Sequence, residues 1–231
     1  MLLTSNAFAV GSYFSSDWRE SYVLGSGFEK YKNPVIQTCV GHAFGNGLEF
    51  SLWNSLPASF DGIGDNAATE IDLNALYHLG FITLGGSYFS LFPDKNEFYK
   101  NDVLQVNFEI SNSFQMGQFS ITPGLRIEYD FPVNGQYDKR NTGLYVIPKI
   151  DLDYALSDQW KASLNTQFEA DLGGYGAQKA LIIDICPKIT YQINQNTSLN
   201  AGIDIYLATI KSDSDVRQDE YVPRVGISYA F

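Results

Sequence analysis

Cysteine and basic residues are scarce in this chain, and each shortage excludes a class of protein. The two cysteines, Cys39 and Cys186, cannot build a disulfide framework or a Cys-x-x-Cys metal site. Fifteen Lys and Arg residues against 26 Asp and Glu residues give a net charge of −11, which opposes binding to the phosphate backbone. The sequence therefore argues against a disulfide-stabilised module and predicts that nucleic acid is not a partner.

Long apolar runs are also lacking. No stretch approaches the roughly 18 consecutive apolar residues that a membrane-spanning helix needs. Hydrophobic residues nevertheless make up 45% of the 231 residues and aromatic residues 15%, which is enough for a large buried surface. The sequence thus excludes a helical membrane protein and indicates a folded chain.

The first nine residues resemble the end of a secretory signal peptide, because Ala7-Phe8-Ala9 has the small-x-small pattern of a cleavage site. The basic segment and most of the apolar run of such a peptide are missing, so an ordinary apolar segment is the alternative. We predict a signal-peptide remnant over residues 1–9, export of the chain, and a single domain over residues 10–231.

Apolar and polar residues alternate with a period of two over most of the chain, which predicts β-strands with one apolar and one polar face. In residues 160–172, for example, Trp160 and Phe168 share one face and Lys161 and Glu169 the other. We predict about twelve strands, at residues 8–16, 35–44, 48–54, 69–79, 81–90, 103–112, 117–131, 144–154, 160–172, 181–193, 199–207 and 221–231.

The predicted connections alternate between tight turns and longer polar loops. Tight turns rich in Gly, Asn and Asp fall near residues 45–47, 78–80, 113–117, 157–159 and 194–196. Longer loops fall near residues 16–34, 55–68, 91–101, 132–141, 173–180 and 208–220. This asymmetry, with strands of about ten residues, is typical of transmembrane barrels. The predicted fold is all-β, a transmembrane antiparallel up-and-down β-barrel of about twelve strands.

Strand length and aromatic placement separate this barrel from a soluble sandwich, which would also alternate but uses strands of about five or six residues. The predicted strands are long enough to cross hydrocarbon when tilted. Aromatic residues also stand on the apolar face beside the tight turns, as an interfacial girdle requires. They are Phe44, Tyr77, Phe119, Tyr154, Trp160, Tyr191 and Tyr229.

Four prolines interrupt predicted strands on their apolar face, at Pro123, Pro148, Pro187 and Pro223. Proline lacks the N–H that a sheet ladder needs, and it is found at sheet edges or at bulges. We predict a local β-bulge at each of the four positions.

The last strand, Tyr221 to Phe231, resembles the C-terminal signature of bacterial outer-membrane β-barrel proteins, with apolar or aromatic residues at Val225, Ile227 and Tyr229. The resemblance implies a location in the outer membrane of a Gram-negative bacterium, contact with its lipid, and recognition of Tyr229 and Phe231 by the barrel-assembly machinery. More weakly, three segments of the first third resemble a family of uncharacterised putative porins. They are Asn33-Pro34-Val35-Ile36-Gln37, Leu52-Trp53-Asn54-Ser55 and Glu70-Ile71-Asp72-Leu73.

Catalytic chemistry is not indicated. His42 and His78 both lie beside tight turns, where we predict interfacial or lumen-lining positions, and no serine lies in a Gly-x-Ser-x-Gly motif. Paired carboxylates such as Glu128 and Asp130 share a face and could hold Ca²⁺ or form an acid/base pair, but a hydrated lumen wall is the preferred interpretation. We predict no enzyme activity, no cofactor, no metal site, and two free thiols.

The polar face predicts a porin-like channel for passive diffusion of small polar solutes or ions. Twelve acidic residues lie on it, at Glu49, Glu70, Asp72, Glu109, Glu128, Asp130, Asp151, Asp153, Glu169, Asp171, Asp184 and Asp204. Five basic residues accompany them, at Arg126, Lys149, Lys161, Lys188 and Arg224. Rings of acidic groups favour cations, so we predict cation preference, with the strongest negative field in the half of the lumen nearer the long loops.

The residues expected to line the lumen are Glu70, Asp72, Arg126, Glu128, Asp130, Lys149, Asp151, Glu169, Asp171, Asp184, Lys188, Asp204 and Arg224. Two alternatives remain open. One is a barrel plugged by side chains or an inward-folded loop, acting as a structural or adhesin-like surface protein, and the other is a soluble β-sandwich binding module.

Overall fold

The computed structural model describes residues 10–24, 27, 29–58, 69–91, 102–133, 143–173, 179–211 and 217–231. The predicted signal-peptide remnant and most of the predicted long loops lie outside these ranges. No helix in the described residues is long and apolar enough to cross a membrane.

The described part of the chain forms fifteen strands. They are β1 (Gly11–Arg19), β2 (Tyr22–Val23), β3 (Glu29–Tyr31), β4 (Val35–Ala43), β5 (Leu48–Pro57), β6 (Glu70–Leu79), β7 (Ile82–Leu91), β8 (Val103–Ser111), β9 (Phe114–Met116), β10 (Phe119–Pro132), β11 (Gly143–Ala155), β12 (Trp160–Asp171), β13 (Ala180–Gln192), β14 (Thr197–Ile210) and β15 (Glu220–Ala230). Twelve of them form the wall, whereas β2 and β3 pair only with each other and β9 pairs with β10 beside a turn.

The wall is a closed antiparallel barrel. Each wall strand pairs with its neighbours in the chain, β10 pairs with β11, and β1 pairs with both β4 and β15. The Tyr13–Ala230 pair begins the register between the first and last strands. The predicted fold, an all-β antiparallel up-and-down barrel of twelve strands, is confirmed.

Exposed apolar side chains alternate with buried polar ones along the wall. On β6, Ile71 and Leu73 are exposed on the outside, whereas Glu70 and Asp72 are buried on the inside. This arrangement is the inverse of a soluble barrel, whose apolar side chains fill the interior. The outer surface is therefore suited to lipid.

Aromatic side chains ring the outer surface at the end of the barrel that carries the tight turns, here called the turn end. Phe44, Tyr77, Tyr154 and Tyr229 are all exposed there. Trp160 is 45% exposed, and its ring centroid lies 4.7 Å from that of Tyr191 on the neighbouring strand. The positions are those of an interfacial girdle.

The first strand differs from the prediction in its limits. It was expected within residues 8–16, but β1 covers Gly11–Arg19. The strand continues because Asp17 and Arg19 still face inward, opposite Gly226 and Arg224 of β15, while Trp18 is exposed on the outside. Three residues assigned to a loop thus belong to the wall.

The prediction of bulges at the four prolines is wrong. Pro123 lies opposite Ile150 and Pro223 opposite Ile203 in an unbroken register, and a shift in the β13–β14 pairing occurs only at Leu181 and Ile182. At Pro148 the β11–β12 pairing lapses for two residues and resumes in the same register. The wall therefore tolerates each proline without an inserted residue.

Closure depends on the chain end. The N–H of Ser12 donates to the carbonyl oxygen of Phe231 at 3.1 Å, and the N–H of Phe231 donates to that of Ser12 at 2.9 Å. The Tyr229 and Phe231 rings lie 5.4 Å apart on the outer surface. The last strand thus supplies both a backbone seam and an apolar surface.

Replacing Tyr229 and Phe231 together with Asp is expected to prevent barrel assembly. A charge on the lipid face costs roughly 2 to 4 kcal/mol at mid-depth and less near the interface. Here the charges also lie at the chain end that pairs with β1 to close the barrel. The readout is heat-modifiable mobility of outer-membrane protein on SDS gels. Ser157→Asp, which adds a charge in an exposed turn, is the control and should assemble normally. Wild-type amounts of folded double variant would contradict the expectation.

Candidate functional site

The thirteen residues expected to line the lumen all lie on wall strands, at positions that alternate with the exposed apolar ones. Several bind one another. Arg126 Nε lies 2.7 Å from Glu128, and Lys149 Nζ lies 2.7 Å from Glu109. Arg224 Nε lies 3.1 Å from Asp204. The inner wall is therefore a network of charges rather than a uniform acidic surface.

Near the turn end, the acidic residues are held by neutral partners. Asn165 donates to Asp151 at 2.8 Å, and Ser163 donates to Asp153 at 2.5 Å. Lys161 lies 3.5 Å from Asp153 and is half-exposed. These carboxylates are thus satisfied across neighbouring strands, in line with a hydrated wall.

An arginine cluster lies at the other end, called here the loop end. The predicted lumen residues Arg224 and Asp204 belong to it, whereas Asp17 and Arg19 were missed because the first strand was placed too early. Arg19 Nη1 donates to Asp204 Oδ2 at 2.7 Å, and Arg224 Nη1 lies 3.5 Å from Asp17. Gly226 makes room for this contact, since a Cβ at that position would overlap the Asp17 carboxylate. Two arginines therefore share Asp17 and Asp204 on one side of the lumen.

The most consequential feature that sequence reasoning missed is a hairpin formed by β2 and β3, which folds into the barrel. The Tyr22 hydroxyl donates to Glu70 Oε2 at 2.5 Å, and Lys30 Nζ donates to the same oxygen at 2.6 Å. The Tyr22 ring centroid lies 6.0 Å from that of Trp53 on β5. These contacts hold one side of the hairpin to β5 and β6.

The other side of the hairpin reaches the opposite wall. Val23 is buried with Tyr206 of β14 and Val222 of β15. A Cβ at Gly27, which has a φ of 77°, would lie 3.3 Å from the Ile182 side chain on β13. The hairpin thus crosses the lumen, in a segment predicted to be part of a polar loop over residues 16–34.

Asp171, which was predicted to line the lumen, is paired with a residue from a second loop. It forms an ion pair with Arg217 at 2.7 Å, and both side chains are fully buried. Arg217 comes from the connection between β14 and β15, so this contact draws a second loop toward the inner wall. Breaking a buried pair of this kind leaves an uncompensated charge and destabilises the structure.

A cavity of about 620 Å³ lies next to the hairpin. Its lining includes the acidic side chains of Asp72, Glu128 and Glu169 and the aromatic side chains of Trp53 and Phe89. Arg19 and Arg126 also reach it. The cavity therefore combines acidic groups, aromatic faces and a minority of basic groups.

The histidines and cysteines occupy structural positions. His78 lies inside, with Nδ1 3.0 Å from Thr83 and Nε2 3.2 Å from Glu49. His42 lies on the outer surface near the turn end, 2.8 Å from the Ser12 hydroxyl. Cys39 and Cys186 are free thiols. In the described part of the chain, no group of three or more His, Cys, Asp and Glu residues is placed to hold a metal ion.

Solved structures share this architecture at low sequence identity. The barrel is similar to the NanC porin, with a TM-score of 0.59 and 12% identity, covering 95% of this chain and 100% of that chain. It is similar to the KdgM porin, with a TM-score of 0.55 and 12% identity, covering 95% and 99%. It is also similar to the translocator domain of the autotransporter NalP from Neisseria meningitidis, with a TM-score of 0.55 and 11% identity, covering 98% and 91%.

No protein-family model matches the chain, and no curated protein matches it. The resemblance to bacterial outer-membrane β-barrels is confirmed at the level of the fold. The weaker resemblance to uncharacterised putative porins stays a prediction.

Replacing Glu70 with Gln is expected to release the hairpin. The variant keeps the shape of the side chain but removes the charge that Lys30 and Tyr22 share, and hydrogen bonds to charged groups contribute about 1.5 to 3 kcal/mol. Trypsin should then cleave after Lys30 about tenfold faster or more in folded, detergent-solubilised protein. Mass spectrometry of the fragments measures this cleavage.

Glu29→Gln is the matched control, because Glu29 pairs at 3.3 Å with Lys32, whose side chain is 84% exposed. Exposed pairs contribute about 0 to 1 kcal/mol, so cleavage after Lys30 should change little. Equal rates in the two variants would show that Glu70 does not hold the hairpin.

Proposed function

We propose that this chain forms a channel in the bacterial outer membrane for passive diffusion of small polar solutes and ions. The observation that carries the proposal is the polar cavity of about 620 Å³ inside a closed barrel with an apolar outer surface. Barrels of eight strands are filled by side chains, whereas larger barrels enclose cavities or channels. Outer-membrane lipid and the barrel-assembly machinery are the partners that this location implies.

The proposal includes no catalytic centre. His78, the histidine on the inner wall, is engaged by Glu49 and Thr83 close to the turn end. His42 faces outward. Neither is aligned with a serine nucleophile inside the barrel, so the charged wall is better explained by solute passage than by hydrolysis.

Cation preference is part of the same proposal. Acidic residues outnumber basic ones on the inner wall, and Asp72, Glu169 and Asp184 each keep a buried carboxylate oxygen with no hydrogen-bond partner. A low-dielectric wall concentrates the field of such groups and raises the local concentration of cations. The arginine cluster weakens this field near β1 and β15, and it also acts on Asp184 of β13.

A plugged barrel is the second candidate, and the hairpin that crosses the lumen favours it. In that case the hairpin closes the passage, and the barrel displays its loops as a structural or adhesin-like surface protein. The two candidates differ in the width that remains beside the hairpin. Single-channel conductance reports on that width, because it rises with the cross-section of the open path.

In planar lipid bilayers, the unmodified protein is expected to give steady single-channel conductance. Replacing residues 21–31 with a Gly-Ser linker of equal length should raise that conductance about twofold or more, since the hairpin narrows the path. Replacing the exposed turn at residues 157–159 in the same way is the control. A silent unmodified protein that conducts only without the hairpin would establish the plugged barrel instead.

In a KCl gradient, the reversal potential is expected to show cation preference that weakens as salt rises, because the Debye length shortens to about 3 Å at 1 M. Glu169→Gln combined with Asp184→Asn should reduce the preference, since both carboxylates lie on the inner wall. Asp158→Asn, in an exposed turn, removes the same kind of charge and should have no effect. Anion preference of the unmodified protein would refute the proposed selectivity.

A further inference from the structure

Two carboxylates of the cavity have apolar side chains as their cross-strand neighbours, and each keeps a buried oxygen without a hydrogen-bond partner. The first is Asp72 on β6, which is only 8% exposed. Its cross-strand partners are Trp53 on β5 and Phe89 on β7, and both also line the cavity. Side chains directly opposite one another in a sheet lie within contact range. Asp72 Oδ1 is therefore buried beside two aromatic rings with no hydrogen-bond partner, while the Glu70 carboxylate and the Lys30 ammonium group act electrostatically on the Asp72 carboxyl.

The second carboxylate is Glu169 on β12, which is also 8% exposed. Its partner on β13 is Ile182, and the flanking register of β11 places Ile147 on its other side. Both isoleucines are fully buried. Within the described residues Glu169 makes no hydrogen bond or ion pair and its Oε1 is buried, although the Arg126 guanidinium acts on it electrostatically.

The unpartnered carboxylate oxygens of Asp72 and Glu169 do not stabilise the folded protein. A buried carboxylate oxygen without a partner destabilises the fold, whereas the other acidic residues around the cavity are paired with Arg, Lys or Gln. Asp72 and Glu169 belong to strands five places apart around a wall of twelve, so they approach the cavity from nearly opposite sides. Although Lys30 acts on Asp72 and Arg126 acts on Glu169, each carboxyl thus keeps one buried oxygen that can accept a hydrogen bond from a cationic ligand.

The chemistry of the flanking groups determines which class of cation can bind at these two carboxyls. A metal ion such as Ca²⁺ requires six to eight oxygen ligands, whereas the neighbours of Asp72 offer aromatic faces and those of Glu169 offer methyl groups. Aromatic faces attract organic cations within about 6 Å of the ring centroid. Lys30 shows this in the protein itself, because its ammonium group lies 5.1 Å from the Tyr22 centroid while it binds Glu70.

We propose that the cavity binds a small aliphatic diamine, with one ammonium group at Asp72 between Trp53 and Phe89, the alkyl chain against the apolar part of the lining that includes Val23 and Leu24, and the other ammonium group at Glu169. A cavity of about 620 Å³ is in the range of small-molecule sites. The inference deepens the proposed function, since it names the class of cation that the channel takes up.

Equilibrium binding to the full chain in detergent micelles tests this site without requiring transport. Trp18→Phe and Trp160→Phe leave Trp53 as the only tryptophan, and its fluorescence then reports on the Asp72 site. Cadaverine should bind about tenfold more tightly than pentylamine, which has one ammonium group, and pentanol at the same concentration should give no change.

Single substitutions test which carboxylate binds each ammonium group of the diamine. Asp72→Asn should weaken both amines about tenfold or more, whereas Glu169→Gln should reduce cadaverine to the affinity of pentylamine and leave pentylamine unchanged. Asp151→Asn is the control, because Asn165 binds Asp151 at 2.8 Å outside the cavity lining. Heat-modifiable mobility verifies folding, and Glu169→Gln still tests the site if the Asp72 variant does not fold.

Several results would overturn the inference. They are equal affinity for cadaverine and pentylamine, an equal response to pentanol, the same fluorescence change with Na⁺ or Mg²⁺ at matched ionic strength, or an equal loss in Asp151→Asn. A conducting protein without amine binding leaves the channel proposal standing. If the protein binds the amine but does not conduct, the proposed binding site stands and the proposed channel is refuted.

Discussion

The need to pair every backbone N–H and C=O group in hydrocarbon governs this structure. Water is absent there, and an unpaired group costs several kcal/mol, so a sheet can cross only when it has no edge. The β1–β15 seam removes the edge, and the hydrogen bonds between Ser12 and Phe231 complete it. All other features of the wall follow from this closure, including the single inward face that twelve strands must share.

Closure also creates an interior that the wall side chains do not fill. The remaining space is shared between the β2–β3 hairpin and the charged side chains, and Glu70 links the two because it binds both Tyr22 and Lys30. Val23 anchors the hairpin on the far side among apolar groups. The free space inside the barrel is therefore limited by a short segment with its own polar and apolar contacts to the wall.

Period-two alternation made the wall predictable, because a strand in lipid must place apolar side chains outward at every second position. It also separated outward residues such as Leu73 from inward ones such as Asp72. The hairpin was not predictable in this way, since Tyr22 binds Glu70 across 48 residues of sequence and no local pattern encodes that contact. The apolar residues Tyr22, Val23, Leu24 and Tyr31 inside a supposed polar loop were the one available signal.

The charged lumen combines two kinds of acidic residue with different physical roles. Carboxylates such as Asp204 and Asp171 are paired with arginine, and removing one partner would leave a buried charge, so these groups hold strands and loops in place. Glu169 has only aliphatic neighbours across the sheet, and a glutamine or a methionine there would spare the cost of desolvation. A carboxylate at such a position reduces stability; the Arg126 guanidinium offsets part of that cost, and under the proposed function a cation entering the lumen offsets more of it.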